Sequence, residues 1–519
     1  MHEIITLQFG QQANYLGTHY WNVQESYFTY AGQEESPVDH DISFRAGVGA
    51  DGSDTYAPRT LIYDLKGAFG TLRRENALYD FQQQEEHAAQ HGGLWSGSTM
   101  PLQLPPIAPS PYQQALDQGV EPPQLTTQTV RFWSDYNHIF YHPRSIVQLN
   151  EYEVNSSLMP FEKWNTGEEL FTNLDREHDL LDRDLRPFLE ECDQLQALQI
   201  FSSIDDAWGG FTSKYLERIA DEMGKGCRWV FGLKDGNTRA RDRQLLQLTN
   251  MAHSLFHWNT SASLQIPLTS LPPSLPKYVS LSSSPWHTSA LQIAAVESIT
   301  LPARLRTTEV GRTTFDQLET TLNNDGNRKL AASAMSVDDA IHLEEGHGAN
   351  GTRDTRMTNG ISEDFDEHDT PLDIGLLPSM RNPTDIQSHR LGRRPQLFSK
   401  IESLRGPWMS ALEIEAANSH SRDPFSRGPR TTAYQSSLLF PTLTSYPQIF
   451  RYEGTPRQLA VKTALSTSSV VADQVRALEA SARRLVALDE REALCDGLAS
   501  MAEEYEEGWD GSDGSDDND

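Results

Sequence analysis

The opening of the chain changes from a two-residue to a helical spacing of apolar positions. Apolar side chains alternate with polar ones from Ile5 to Phe9, which is the pattern of a β-strand. After Gly10 the large apolar residues lie four, three and four positions apart, as on one face of a helix: Leu16, Tyr20, Val23 and Tyr27. A strand that turns at a glycine into a helix leaves backbone N–H groups unpaired, and a phosphate can bind there. The same pattern is also the ordinary opening unit of an α/β fold, so the spacing supports both interpretations.

Strands and helices continue to alternate through the first ~235 residues. Short apolar runs predict strands at 60–64, 197–201 and 228–231, and longer amphipathic stretches predict helices at 166–192 and 211–223. Strands that alternate with helices of ten or more residues form a parallel sheet with helices on its faces. We therefore expect an α/β protein with a Rossmann-type parallel sheet in its N-terminal part.

Two polar segments interrupt this pattern and divide the chain. Gln, His and Pro dominate about 82–128, and charged residues, Gly and Asn dominate about 323–396, so we expect both to be disordered insertions. Apolar residues at three- and four-residue spacing predict a C-terminal helix. The last seventeen residues hold nine acids and no base, which predicts a solvated tail. The expected units are a first domain 1–235, a second α/β domain 236–470, a C-terminal helix 471–502 and an acidic disordered tail 503–519.

Charge and cysteine content narrow the possible surroundings. Asp plus Glu number 73 against 43 Lys plus Arg, a net charge of −30, so direct binding to nucleic acid or anionic lipid is not expected. The three cysteines form no CxxC pair, which favours a reducing compartment. No apolar run approaches the ~18–20 residues that span a bilayer. No Lys or Arg precedes Arg45, whereas a targeting peptide would carry basic residues there. We expect a protein of the cytoplasm or of a cytosol-facing surface.

Several segments resemble the tubulins. The first segment, Gly10-Gln11-Gln12-Ala13-Asn14, is similar to the first phosphate-binding turn of tubulin. Further similar segments follow in the same order along the chain: Pro58-Arg59, Asp64-Leu65, Phe140–Ile146, Thr166–Leu170 and Gly210–Ser213. Within the tubulin superfamily, three segments are similar to ones characteristic of the Misato group: Trp133–Ser145, Trp286–Ala290 and Ser445–Phe450. The resemblance implies a tubulin-like fold and a role in the distribution of mitochondria and the inheritance of mitochondrial DNA.

The resemblance also locates a degenerate nucleotide site. Tubulins hold the triphosphate with a GGGTGSG loop, because only glycine lets backbone amides approach the phosphate oxygens. The corresponding stretch here is Asp205-Asp206-Ala207-Trp208-Gly209-Gly210, one residue shorter and with two carboxylates and an indole. An Asp within ~5 Å of a phosphate charge costs roughly 3 kcal/mol at an effective dielectric near 20. We therefore expect no GTP, no other cofactor and no metal, and the remnant site would be walled by Gly10, Gln11, Asn14, Asp64, Gly209 and Gly210. Each of these glycines is alternatively a turn residue that the fold alone requires.

Two further tubulin features are changed. Lys66 stands where tubulins usually carry an acid that helps to hold the metal ion. The GxxNxD loop that tubulins donate to the neighbouring subunit has no convincing match, and Asp242 and Asn250 are the nearest candidates.

Other candidate sites are weaker. His87/His91 and His253/His257 have the one-turn spacing of zinc ligands, but neither pair has Glu after the first His, so we expect solvated or core histidines. The basic cluster at 390–394 is interpreted as a solvated flank, with an acidic partner or anionic lipid as the alternative.

The favoured function is therefore a non-enzymatic one without catalytic residues. The chain would act through protein partners on the cytosolic face of mitochondria, with self-association left open. One alternative is an active GTPase that assembles head to tail, and another is an adaptor linked to tubulin folding or to a chaperonin. Nucleotide content and turnover of the purified protein distinguish the first two.

Overall fold

The computed structural model describes residues 2–29, 35–48, 52, 54–72, 107–237, 239–339, 372–381, 395–422, 428–452 and 458–506. Its strands are β1 (Glu3–Phe9), β2 (Phe44–Val48), β3 (Asp54–Pro58), β4 (Thr60–Lys66), β5 (Ile146–Glu153), β6 (Leu195–Ser203), β7 (Cys227–Lys234), β8 (Leu264–Thr269), β9 (Ala332–Asp339), β10 (Ile374–Gly375), β11 (Leu397–Arg405), β12 (Arg430–Ser436), β13 (Phe440–Pro441) and β14 (Gln458–Ser468). Its helices are α1 (Gln11–Glu25), α2 (Pro111–Asp117), α3 (Trp164–His178), α4 (Arg186–Glu190), α5 (Ala207–Met223), α6 (Arg241–Ser261), α7 (Pro285–Thr300), α8 (Phe315–Leu322), α9 (Ala411–Arg422), α10 (Ser469–Leu485) and α11 (Leu488–Glu503).

The first sheet has six parallel strands in the order β5-β4-β1-β6-β7-β8. The predicted α/β architecture with a parallel N-terminal sheet is confirmed. The sheet continues to β8, however, so it extends past residue 235, where the first domain was expected to end. All six residues of β8 are buried, which is the environment that a strand under helices on both faces requires.

The order in which strands are added to the sheet reverses beside β1. After β1 the chain crosses to β4 on one side of the sheet, and β6 then pairs with β1 on the other side. At such a switch point the connections leave in opposite directions, and a crevice opens at the carboxyl ends of the strands. The order of strands thus places a binding cleft where β1, β4 and β6 end.

Each face of the first sheet carries a separate hydrophobic core. On one face Ile4 and Phe201 pack in a cluster with Leu16 of α1 and Leu291 of α7. On the other face Ile5, Leu7 and Ile200 pack with residues of α3, α5 and α6: Leu170, Phe211, Met251 and Leu255. The alternation of Ile4 and Ile5 between the two cores follows the two-residue period of a strand.

A second, mixed sheet has the order β10-β9-β14-β11-β12. β9 and β10 lie inside the 323–396 segment that was expected to be disordered, so that expectation is wrong for these residues. In β9 the side chains of Ser333, Met335 and Val337 are buried, while the small residues between them are less so. This alternation is weak because Ala and Ser occupy half of the positions, and pairing with β14 supplies the stability that local propensity does not.

Three other predicted boundaries differ from the structure. The stretch 107–128 belongs to the expected insertion, yet it contains α2, whose Tyr112 is buried. The predicted helix 166–192 is interrupted at Asp179, which has a left-handed φ of 44°. The predicted C-terminal helix 471–502 is two helices, because Val486 and Ala487 adopt extended backbone angles between α10 and α11. Both helices pack against α6 in the hydrophobic core that contains Ile5 and Leu7.

Within the described ranges, no helix combines the length and apolarity needed to cross a membrane.

Candidate functional site

A half-open cavity of about 290 Å³ lies at the switch point of the first sheet. We call it the switch-point cavity. Its wall comes from the start of α1, the end of β4, the segment 153–162, the β6–α5 turn, the β7–α6 loop and the first half of α6. The parallel strands bring these distant segments together, since all their carboxyl ends meet at one edge.

Trp208 covers the start of α1. Gly10 precedes this helix with a φ of +86°, and a Cβ placed on it would lie 2.3 Å from Trp208 Nε1. The indole is 4% exposed and packs edge-on against Phe161, with ring centroids 5.2 Å apart. Gly10 is therefore required here by the left-handed backbone and by the indole that lies on it. The helix start that would receive a phosphate is in contact with an aromatic ring.

Three aspartates converge beside this indole. Asp206 caps α5, and its Oδ1 accepts a hydrogen bond from the Trp208 N–H at 2.9 Å. Asp205 Oδ2 accepts from the Asp235 N–H at 3.1 Å and from Gln247 Nε2 at 2.9 Å. Burial, followed by the charges of Asp206 and Asp235, raises the pKa of Asp205 well above its ordinary value. Burial also raises the pKa of Asp206, to about 6.

A fourth carboxylate, Asp64, forms the end of β4. It is fully buried, and its Oδ2 accepts a hydrogen bond of 2.7 Å from Asn14 Nδ2. The Leu65 N–H donates to its other oxygen at 2.9 Å. Burial is the largest cause that raises the pKa of Asp64 to about 7, and the hydrogen bonds from Leu65 and Asn14 oppose it.

Positive charge in the switch-point cavity is limited. Six carboxylic acids line it, and Arg239 and Arg243 are the two basic residues on its wall. Arg239 is paired with Asp235, and Arg243 Nη2 lies 3.4 Å from Glu162 Oε1. Acidic side chains therefore outnumber basic ones on this wall.

The predicted remnant site is divided by the structure. Gln11 and Asp64 line the switch-point cavity, Gly10 lies under Trp208, and Asn14 stands behind Asp64. Gly209 and Gly210 lie within α5 and serve helix packing. A Cβ on Gly209 would lie 2.1 Å from Ser254 Oγ, and one on Gly210 would lie 2.0 Å from the Trp164 carbonyl oxygen. Lys66 is exposed and lies outside the cavity wall.

Sequence reasoning missed the part of the wall that comes from the β5–α3 loop and from α6. Asn250, a candidate only for a contact with a neighbouring subunit, is buried and holds its own chain together. Its Oδ1 accepts from the Trp164 N–H at 3.0 Å, and its Nδ2 donates to the carbonyls of Glu162 at 2.7 Å and Asp205 at 3.0 Å. The exposed Asp242 is outside the wall.

The second histidine pair packs on an aromatic ring. Trp164 stacks on His253 and His257, with centroid distances of 5.1 and 4.6 Å. Burial lowers the pKa of His257 to about 4 and that of His253 below its ordinary value. Among the residues that the structure describes, no three His, Cys, Asp or Glu side chains are arranged to hold a metal ion. His87/His91, the basic cluster 390–394 and residues 507–519 of the acidic tail lie outside the described residues.

Comparisons with known proteins agree on a tubulin-like chain. The model of the Misato Segment II tubulin-like domain matches residues 2–118, and that of a tubulin domain matches residues 122–305. Protein DML1 of Phaeosphaeria nodorum is 46% identical over 98% of both chains. Protein dml-1 of Neurospora crassa is 45% identical over the whole of both chains. Protein dml1 of Schizosaccharomyces pombe is 33% identical over 59% of this chain and 66% of its own.

Proposed function

Because this chain belongs to the Misato family of tubulin-like proteins, we propose that it is a non-enzymatic member that acts through protein partners in partitioning mitochondria and mitochondrial DNA. The family and the tubulin-like fold inferred from its motifs are both confirmed by the comparisons. The sequence resemblance supports the proposed mitochondrial role, and the geometry of the switch-point cavity supports the proposed loss of nucleotide chemistry.

The contact between Trp208 and Gly10 is the observation that carries the proposal. In a nucleotide-binding α/β domain the first helix start donates backbone N–H groups to phosphate oxygens. Here the indole lies where the Cβ of any other residue at Gly10 would be, so a phosphate could approach only if Trp208 moved. Trp208 is held by contact with the ring of Phe161 and by the hydrogen bond from its backbone N–H to Asp206 Oδ1.

Electrostatic repulsion also disfavours a phosphate at this position. Asp205 and Asp206 lie in the turn that would contact the phosphates, and each Asp–phosphate pair at ~5 Å costs roughly 3 kcal/mol. When both carboxyl groups are ionised, two such pairs reduce affinity by about four decades. The arginines that could compensate are paired with Asp235 and Glu162.

The test is the nucleotide content and turnover of the purified full-length protein. We expect no stoichiometric guanine nucleotide after gentle purification, and no GTP hydrolysis that increases with protein concentration. A triple variant, Trp208→Ala with Asp205→Asn and Asp206→Asn, should bind GTP more tightly than the wild type. Trp408→Ala, at a half-buried indole outside the cavity wall, is the matched control. Stoichiometric nucleotide in the wild type would overturn the proposal.

An active, self-assembling GTPase is the alternative that retained residues favour. Gln11 and Asp64 still line a cavity at the switch point, where a nucleotide would sit in this fold. Turnover that increases steeply with protein concentration, together with oligomers in sedimentation, would support it. An adaptor for tubulin folding would instead be identified by stoichiometric complexes with tubulin monomers or chaperonin subunits.

The mitochondrial part has its own test. A fluorescently tagged chain should colocalise with mitochondria, and protease added to isolated mitochondria should degrade it completely. Depletion should lead to unequal inheritance of mitochondria and of their DNA. A protease-resistant pool would contradict attachment to the cytosolic face.

A further inference from the structure

We propose that the switch-point cavity binds the arginine side chain of a partner protein, with apolar residues beside that arginine packing on the rim of the cavity. This inference rests on the proposed function, since it names the chemistry of the partner through which the chain would act. A cation would thus occupy the position at which the fold otherwise holds a polyanion.

The first argument is that several carboxyl groups on the wall have no cationic hydrogen-bond partner. Arg239 and Arg243 are engaged with Asp235 and Glu162. The hydrogen bonds found for Asp64, Asp205 and Asp206 come from neutral donors: the N–H groups of Leu65, Trp208 and Asp235, and the amides of Asn14 and Gln247. Lys234, whose charge favours the ionised form of Asp205, donates its Nζ to the carbonyl of Ser379 at 2.6 Å. Several carboxylates on one wall therefore have room for a cationic donor.

A second argument comes from two amide oxygens. Gln12, on the cavity wall, and Asn14, behind Asp64, each have a buried amide oxygen without a hydrogen-bond partner in the described structure. The orientation of the Asn14 amide is set by its Nδ2, which donates to Asp64, so the free atom is an acceptor. The Asn14 side chain is fully buried. A buried acceptor left unpaired costs about 1–3 kcal/mol, so a ligand that donates a hydrogen bond to the Gln12 oxygen would stabilise this end of the cavity.

Size and aromatic lining favour a guanidinium over other cations. The volume of about 290 Å³ is sufficient for one long side chain. Trp208 and Phe161 are part of the wall, and a planar guanidinium both packs on aromatic rings and bonds carboxylates through two N–H groups.

The rim identifies a protein segment as the source of that cation. Leu158 and Met159 are 92% and 55% exposed, and they immediately precede Pro160 and Phe161 of the wall. Large apolar side chains at the mouth of an acidic cavity suit a peptide in which apolar residues flank a basic one. A free polyamine would neutralise the acidic wall but leave these two side chains exposed.

The experiment uses an array of seven-residue peptides with a central arginine and varied flanking residues, probed with labelled full-length protein. We expect binding to concentrate on peptides with apolar flanks and to disappear when citrulline replaces arginine. Asp205→Asn with Asp206→Asn should weaken binding of the best peptide at least tenfold, measured by fluorescence anisotropy. Asp182→Asn with Asp221→Asn removes the same charge from exposed positions and should change it less than twofold.

The outcomes separate this inference from the proposed function. Equal losses of peptide affinity in the two double variants would overturn the arginine site. Citrulline peptides that bind as tightly as arginine peptides would also overturn it. Spermidine that binds at the cavity without any peptide preference would overturn it as well. Leu158→Ser with Met159→Ser should weaken the apolar-flanked peptides by three- to tenfold without altering the fold. Absence of GTP together with absence of peptide binding would refute only the inference, whereas stoichiometric GTP would refute the proposed function.

Discussion

Asp64 is a carboxylate whose burial makes stability depend on pH. Its pKa is raised to about 7 in the folded chain, while an Asp in an unfolded chain titrates near 3.9. Between about pH 4 and pH 7 the folded state therefore holds a proton that the unfolded state releases, and this contribution to stability decreases as pH rises. At pH 8 the fold carries the whole cost of a buried charge.

Asp64→Asn removes that cost while conserving shape. Rotation of the Asn14 amide would let its oxygen accept a hydrogen bond from the new amide, so the contact can be kept. We expect the free energy of unfolding of the variant, relative to wild type, to increase by roughly 1–3 kcal/mol between pH 5 and pH 8. Urea titrations at four pH values measure it, with exposed Asp221→Asn as the control. A difference that is independent of pH would contradict the raised pKa.

At the same scale, the sequence located only the residues close to a strand end. Asp205, Asp206 and Trp208 could be placed at the phosphate turn because they follow an obvious strand and precede an obvious helix. Phe161 and Gln247 could not, because a long loop and the side of a helix reach the cavity only through the tertiary fold. The sequence around these two residues does not distinguish them from ordinary core or surface residues.

Among the elements, the close approach of α3 and α5 depends on glycine. A Cβ on Gly210 would lie 2.0 Å from the Trp164 carbonyl oxygen, and one on Gly167 would lie 1.7 Å from the Ala207 carbonyl oxygen. Backbone atoms cannot yield as a flexible side chain can, so any larger residue separates the two helices. The glycines that resemble a phosphate loop thus have a packing role in this structure.

Gly210→Ala should therefore destabilise the protein although alanine favours helices. Alanine gains about 1 kcal/mol in helix propensity, but the clash requires both helices to shift, and we expect a net loss of roughly 1–3 kcal/mol. Chemical denaturation compares it with Gly226→Ala, where the nearest neighbouring atom is 4.0 Å from the new Cβ. A Gly210→Ala variant as stable as this control would show that the helices are not in tight contact.

Prediction of elements succeeded where the apolar spacing was strong. β1 and α1 combine large apolar residues with a clear change of period, and both were located to within a few residues. β9 was missed because Ala, Ser and Asp fill most of its positions, and its order depends on pairing with β14, more than a hundred residues away. Local composition thus identified the helices and parallel strands better than the mixed sheet.

For the whole molecule, a buried ionic cluster joins α1, α7 and β11. Glu297 of α7 is fully buried between Arg304 and Arg405, and Tyr27, which follows α1, donates its hydroxyl to Glu297 Oε1 at 3.1 Å. Burial raises the pKa of Glu297, but the two arginines outweigh it, so the pKa lies below its ordinary value. Arg405 also donates to the carbonyls of Leu438 and Leu439 at 2.9 and 2.7 Å.

Glu297→Gln tests how strongly this cluster holds the two sheets together. The substitution keeps the shape but leaves two buried guanidinium groups without a counterion, which typically costs about 3–5 kcal/mol. Asp182→Asn removes one carboxylate from the half-exposed pair with Arg186 and should cost at most about 1 kcal/mol. Thermal unfolding followed by tryptophan fluorescence and by circular dichroism should show a much lower Tm for Glu297→Gln alone. Equal Tm values for the two variants would mean that Glu297 does not connect the sheets, and that apolar packing around α7 does so instead.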